Sequence, residues 1–332
     1  MDSIVSWVTS AVIFGTVMMY GALGEILTEK SGHLNLGVPG LMFLGGFAGF
    51  ASAFLYEKSG PEPNPVLMAI LPLACGFTAA ALGGLLYSFF TVTLRANQNV
   101  TGLALTFFGV GVGGFSGVYI LLKAGYKSYA KAALTYEVFS KNLNSLYNLG
   151  PVGEMLLSYG FMTYAAIALA IFLHFFLKKT RVGLNLRAIG ENPATADAAG
   201  VNVTFYKYLS TTIGGGISGL GGLFYFLVFC NGGWMTNNKI EALGWLAIAL
   251  VIFATWKPVN VIWGSYLFAM LFWLYNYFPD ITGITFKNWQ TDLVQTIPYI
   301  FTILVLIIIS FRKKKENQPP ASLGLSYFRE ER

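Results

Sequence analysis

The sequence predicts an all-α polytopic membrane protein, a bundle of about nine transmembrane helices. Of its 332 residues, 55% are hydrophobic and only 11% are charged, against about 25% charged in ordinary soluble domains. Apolar stretches of roughly 20 residues, each enough to cross a ~30 Å hydrocarbon core as a helix, recur along the whole chain. One continuous membrane domain over residues 1–315, followed by a disordered cytoplasmic tail over 316–332, is therefore expected.

The expected spans are about residues 4–23, 36–56, 66–92, 100–122, 156–177, 205–229, 243–256, 259–278 and 294–311. The first opens after one acidic residue, Asp2, without the basic stretch and cleavage site of a signal peptide, and reads as a retained span. Between the first two lies GEILTEKSGHLNLGVPG, too polar for lipid contact and too rich in Gly and Pro for one helix. The second span is thus expected to begin in irregular backbone held inside the bundle. The polar loop 123–155 reads as a connector on the outer face or a docking surface for an external partner. The fourth and sixth spans carry GVGVGG and TTIGGGISGLGGL. Small residues spaced by four, Gly109 with Gly113 and Gly215 with Gly219, mark faces where helix backbones approach closely. These glycines stand within apolar spans and the sequence has no GxxxxGK[ST], so no nucleotide-binding loop is expected.

Charge sets the orientation. With the N-terminus outside, one side holds Lys30, Arg95, Lys178, Lys179, Arg181, Arg187, Lys207, Lys257 and Arg312 to Lys315, 12 in all against 7 on the other. The positive-inside rule makes the first side cytoplasmic, so the N-terminus faces out and the tail faces in. The net charge of +6 then reflects topology rather than a nucleic-acid surface. Cys75 and Cys230 offer neither a disulfide framework nor metal-ligand spacing. His33 and His174 are isolated, with no HExxH or GxSxG frame, so no catalytic or metal site is expected.

The loop KKTRVGLNLRAIGENPATADAAGVNVTFYKY holds a short helix with both ends written in. Asn192 suits the cap, Pro193 the first helical position and Gly200 the left-handed position past the end; Ala194 to Ala199 are mainly strong helix formers. Flanked by cations and exposing small residues, this helix buries little by itself. It reads either as an ordinary connector touching lipid headgroups or as a segment gripped by a cytoplasmic partner.

Within this loop, GLNLRAIGENPATADAAGVNV closely resembles the coupling-helix region of permease subunits in ABC importers of branched-chain amino acids, simple sugars and nucleosides. TEKSGHLNLGVPGLMFLGGFAG and GWLAIALVIFATWKPVNVIWGSYLFAM resemble, in the same order, that family's early signature and its late segment. The strongest similarity is to the shorter permease of nucleoside importers. The resemblance implies a type II importer permease in a bacterial cytoplasmic membrane, carrying guanosine, other purine nucleosides or nucleosides broadly. It implies a longer paralogous permease or a second copy as partner, a cytoplasmic ATPase that uses ATP and Mg, and an external substrate-binding lipoprotein or protein. The chain itself would bind no cofactor. The coupling residues would be Arg187, Glu191, Asn192, Pro193, Asp197 and Gly200.

The spans divide as four, one and four, with the first four starting outside and the last four inside, the arrangement of an inverted repeat. In both halves the second member is interrupted or short, which points to the substrate path there. Asn35, Asn97, Gln98, Asn99 and Thr101 could meet ribose hydroxyls and base edges, and Phe107, Phe108 and Trp245 could stack on a base. The plainer reading is that these amides satisfy loose backbone groups and the aromatics pack. Two other functions compete: a simple-sugar importer of ribose or galactose type, and an ion-coupled transporter using Glu25 and Glu29, one turn apart. Followed at once by Lys30 and a Gly-rich break, that pair is expected at the cytoplasmic interface.

Overall fold

The computed structural model describes residues 2–60, 63–126, 129–142, 150–235, 239–283, 288–312 and 318–328. Its helices are α1 (Asp2–Glu29), α2 (Val38–Glu57), α3 (Pro65–Ser88), α4 (Gln98–Lys123), α5 (Ala133–Ser140), α6 (Gly150–Leu157) and α7 (Phe161–Lys179). There follow α8 (Arg181–Glu191), α9 (Pro193–Ala198), α10 (Val203–Phe224), α11 (Ile240–Phe253), α12 (Pro258–Thr282) and α13 (Asn288–Arg312). Of the residues behind the charge count, Lys313–Lys315 on the first side and Lys127 and Lys287 among the seven on the other lie outside the described residues.

The boundaries follow from local chemistry. Asn64 and Asn97 accept hydrogen bonds from Val66 N (2.8 Å) and Val100 N (3.1 Å), capping α3 and α4. Pro65 and Pro258 open α3 and α12 at a position where a missing N–H costs nothing. Gly283, with φ +73°, closes α12 in the left-handed region. Helices α3 and α10 each run on into a π turn, Phe89–Thr93 and Tyr225–Phe229.

Among the described residues, seven helices are long and apolar enough to cross a membrane: Ser3–Glu29, Val38–Glu57, Pro65–Thr93, Gln98–Lys123, Phe161–Lys179, Val203–Phe229 and Pro258–Thr282. The two remaining expected spans, 243–256 and 294–311, fall on shorter apolar helices, Ile240–Phe253 and the stretch Asp292–Val305 of α13. Helix α11 stops because Thr255 and Trp256 both take left-handed backbone, φ 53° each, which no α-helix accommodates. In contrast, α1 continues six residues past the expected end at 23 and carries Glu25 and Glu29 into the bundle.

Helix α10 packs against α1, α2 and α3, while α1 packs against α10, α11 and α12; α2 also lies against α3, α4 and α11. Backbones touch at the glycines. A Cβ on Gly219 of α10 would collide with Ala80 of α3, and one on Gly109 of α4 with Gly40 of α2. Gly215 lies against the Ala80 carbonyl, and Gly113 against the Phe43 ring. At one end of the bundle, β1 (Tyr129–Lys131) pairs antiparallel with β2 (Gly233–Met235), Ala130 opposite Trp234. Trp234 is fully buried and stacks on Phe226 with 4.2 Å between ring centroids, which ties the 123–155 region to the exit of α10.

The opposite end gathers the C-termini of α1 and α3, the N-termini of α2, α4 and α10, and the whole of α8 and α9. The tail, expected to be disordered, has its segment 318–328 placed here. Ser322 N donates to the Gly190 carbonyl (2.9 Å) and Gly324 N to the Gly32 carbonyl (3.1 Å). Two backbone anchors and a short apolar run, Leu323 to Leu325, give a polar, Pro-containing tail a defined seat.

Candidate functional site

The loop 30–37 between α1 and α2 is the centre of this end. It is irregular backbone, largely buried, so each of its polar groups needs a partner. Three helices provide most of them. Glu25 of α1 accepts from Asn35 N (3.0 Å), and Tyr87 of α3 donates to the Leu34 carbonyl (2.8 Å). Gln98 of α4 accepts from Leu34 N (2.9 Å), and Thr106 of α4 donates to the Leu36 carbonyl (2.8 Å). Asn35 turns its own side-chain oxygen onto Gly37 N (2.9 Å), leaving its Nδ2 buried without a partner among the described residues. Trp256 donates its indole N–H to Glu29, fastening the left-handed corner after α11 to the end of α1.

Glu25 and Glu29 are buried within this end of the bundle, 1% and 2% exposed. Helix α1 does not end at the first polar residue but carries both carboxyls to donors on the adjoining loop, Asn35, and after α11, Trp256. His33, also buried, has its pKa held well below the ordinary value, first by burial and then by Lys207. Lys30 is lowered to about 8, by burial and then by Arg187.

Against this loop sit α8 and α9. Asn192 caps α9 through Thr195 N (3.0 Å), Pro193 occupies its first turn, and Gly200 closes it at φ +84°. Helix α8 carried no clear sequence signal, because its buried positions, Gly183, Leu186, Ile189 and Gly190, are interleaved with charge. Gly190 presses directly on the Lys30 carbonyl, where any side chain would collide. The outer surface exposes Arg187, Glu191, Asn192 and Gly200, with Pro193 and Asp197 half-buried. Asp197 accepts from the Tyr327 hydroxyl of the tail (2.8 Å).

The family described as branched-chain amino acid transport system / permease component matches residues 3–309. The chain belongs to this permease family. The permease is similar to the putative glucose ABC transporter permease protein TsgC13 of Haloferax volcanii, 31% identical over 95% of each chain. It is also similar to the nucleoside ABC transporter permease protein NupC of Lactococcus lactis, 28% identical over 91% of each. The guanosine ABC transporter permease protein NupQ of Bacillus subtilis is 28% identical over 90% of each. No solved structure matches the permease. It is an ABC transporter permease, and its relatives divide between sugar and nucleoside cargo.

The residues expected to line the path do not meet in one cavity. Asn35 and Gln98 are buried and serve the 30–37 loop; Asn97 caps α4, with Thr101 bonded to its carbonyl (2.8 Å) and Asn99 exposed. Phe107 and Phe108 point outward from α4, 72% and 52% exposed, and Trp245 is exposed on α11, across α2 from α4. Thr101 and Phe108 share an apolar groove of about 410 Å³ with Leu86, Tyr87 and Phe90. Sequence reasoning missed Tyr87, Trp256, His33, Lys207 and Tyr327, which organise this end. Their one shared signal was polarity at the edge of an apolar stretch, which does not say what they would face.

Proposed function

We propose that the permease is the membrane subunit of an ATP-driven nucleoside importer, with its N-terminus outside and the end bearing α8 and α9 in the cytoplasm. One observation supports this most. The exposed faces of α8 and α9 are keyed through Gly190, Ile189 and Ala196 to the 30–37 loop and the start of α10. A cytoplasmic ATPase engaging Arg187, Glu191, Asn192, Pro193, Asp197 and Gly200 would thereby act on α1, α2 and α10 together. ATP and Mg would be bound by that subunit, and an external binding lipoprotein would deliver cargo at the β1–β2 end.

The packing pattern supports an inverted repeat of α1–α4 on α10–α13. The contacts of α1 with α12 and α11 answer those of α10 with α3 and α2, and α2 with α4 answers α11 with α13. Nine spans follow if α11 and α13 cross with their neighbours. The exposed aromatics of α4 suit a second permease, a paralogue or another copy, so the nucleoside path would be completed between subunits with Thr101, Phe107 and Phe108 on its wall. The similarity to NupC and NupQ supports nucleosides; that to TsgC13 supports a simple sugar as the second reading.

Uptake of labelled guanosine, adenosine, glucose and ribose in a deletion strain carrying the gene tests both. Saturable nucleoside uptake, competed by nucleosides and not by glucose, is expected. Glucose uptake alone overturns the nucleoside reading, and uptake abolished by an uncoupler at constant ATP overturns the ATP-driven one. Reversing Glu191 and Asp197 to Lys is expected to cut uptake by about tenfold or more, as misplacing interfacial charges does, with membrane insertion unchanged.

A further inference from the structure

Lys207 lies one turn into α10 and is 3% exposed. Among the described residues its ammonium has neither a hydrogen bond nor a carboxylate partner. Burying an unpaired ammonium is expensive, and folded chains rarely tolerate one without an anion to meet it. The side chain lines a cavity of about 360 Å³, within the size range of small-molecule sites.

The rest of that cavity is built for negative charge. Arg95 stands at it in left-handed backbone, φ 56°, with its guanidinium 4.9 Å from the centre of the Phe328 ring. The first backbone N–H groups of α10, at Val203 and Thr204, have no acceptor within the helix, and both residues line the same cavity. Buried Gln98, Thr91 and His33 add neutral polar groups. One carboxylate, Asp197, lines the cavity, and it accepts the Tyr327 hydroxyl. Among the described residues, two cations against one engaged carboxylate leave a positive excess. The tail residues Ser326 and Tyr327 form the remaining wall.

We propose that this cavity binds a phosphate group, held by Lys207, Arg95 and the N-terminus of α10. A phosphate matches two convergent cations and free backbone donors better than a carboxylate does, since it offers more oxygens and up to two charges. The space exceeds that of the bare ion, so the group belongs to a small organic phosphate or to the headgroup of a phospholipid at this end of the bundle. The inference is independent of the cargo and of the coupling role of α9.

The test uses the full-length permease with the subunits that copurify, in phosphate-free detergent. Inorganic phosphate, glycerol 3-phosphate and adenosine 5′-monophosphate are titrated calorimetrically, with acetate as control. At least one phosphate probe binds and acetate does not; Lys207→Met weakens binding at least about tenfold, and Lys207→Arg retains it. Arg95→Asn, which accepts left-handed backbone, also weakens it. In a second arm, retained phospholipid is measured by mass spectrometry. Phosphatidylglycerol kept by the wild type and lost from Lys207→Met assigns the site to a headgroup, whereas Lys207-dependent binding of soluble probes by lipid-stripped protein assigns it to a free phosphate. If the wild type binds no probe and holds no phospholipid, or if Arg95→Asn and Lys207→Met bind as the wild type does, the site is overturned.

Discussion

Helices α1, α2 and α10 differ from α3, α4, α7 and α12 in what surrounds them. The most apolar windows of the first three are 56%, 72% and 78% buried within the chain; those of the other four are each 33% buried. All seven are comparably apolar, so hydropathy does not distinguish them. What does is how many faces meet a neighbour: the inner helices pack through glycine and alanine on several sides, α3 and α4 do so toward the inner helices only, and α4 and α12 turn Phe107, Phe115 and Trp263 outward. Lipid tails are as apolar as Leu, so burial alone does not drive helices together in a membrane, and close backbone packing must.

The largest expected effect breaks that contrast directly. Gly219→Leu would drive a side chain into Ala80 and Gly45, whereas Gly111→Leu on α4 would enter space with nothing within 4 Å. Overpacking of this kind typically costs 1–3 kcal/mol, and about the upper end is expected here because backbone lies opposite. Monodisperse protein in detergent should be lost for Gly219→Leu and kept for Gly111→Leu. Equal tolerance of both would show that the inner packing does not carry the fold.

The same contrast explains what the sequence could say. Apolar length located the long spans because each must bridge the same hydrocarbon thickness, whatever it packs against. The Asn192, Pro193 and Gly200 signals located α9 because caps are local chemistry. Partners in the 30–37 loop were not legible: Asn35 meets Glu25, Leu34 meets Gln98 and Tyr87, and Glu29 meets Trp256, contacts separated by up to 227 residues. The path residues were chosen as polar and aromatic groups near irregular spans. Such residues equally satisfy backbone, as Gln98 and Asn97 do, or face outward, as Phe107 does.

A smaller effect separates the buried loop from the exposed α8–α9 surface by pH. His33 stays neutral in the folded state to a pH well below its ordinary range, while in the unfolded chain it protonates near 6.5. The unfolded state then binds more protons as pH falls below about 6.5, so stability drops, by roughly 1.4 kcal/mol per unit until the folded-state value is reached. Melting temperature should fall between pH 7.5 and 5.5, and His33→Gln should flatten that slope. An unchanged slope would assign the acid sensitivity elsewhere.

The smallest effect concerns the caps. Asn192→Ala removes the acceptor for Thr195 N at the start of α9, and Asn64→Ala removes that for Val66 N at the start of α3. Each loss costs about 1 kcal/mol of local helix stability. The consequences should nonetheless differ. Helix α3 is held along its length by α2 and α10, so fraying of one turn is absorbed. Helix α9 has six residues and little buried surface beyond Ala196, so the same loss is a large share of what orders it. Hydrogen exchange should therefore rise across 193–199 in Asn192→Ala and remain confined to the first turn of α3 in Asn64→Ala. Uptake should fall in the first variant alone if an ordered α9 is what the ATPase grips, and stay level in both if it is merely a connector.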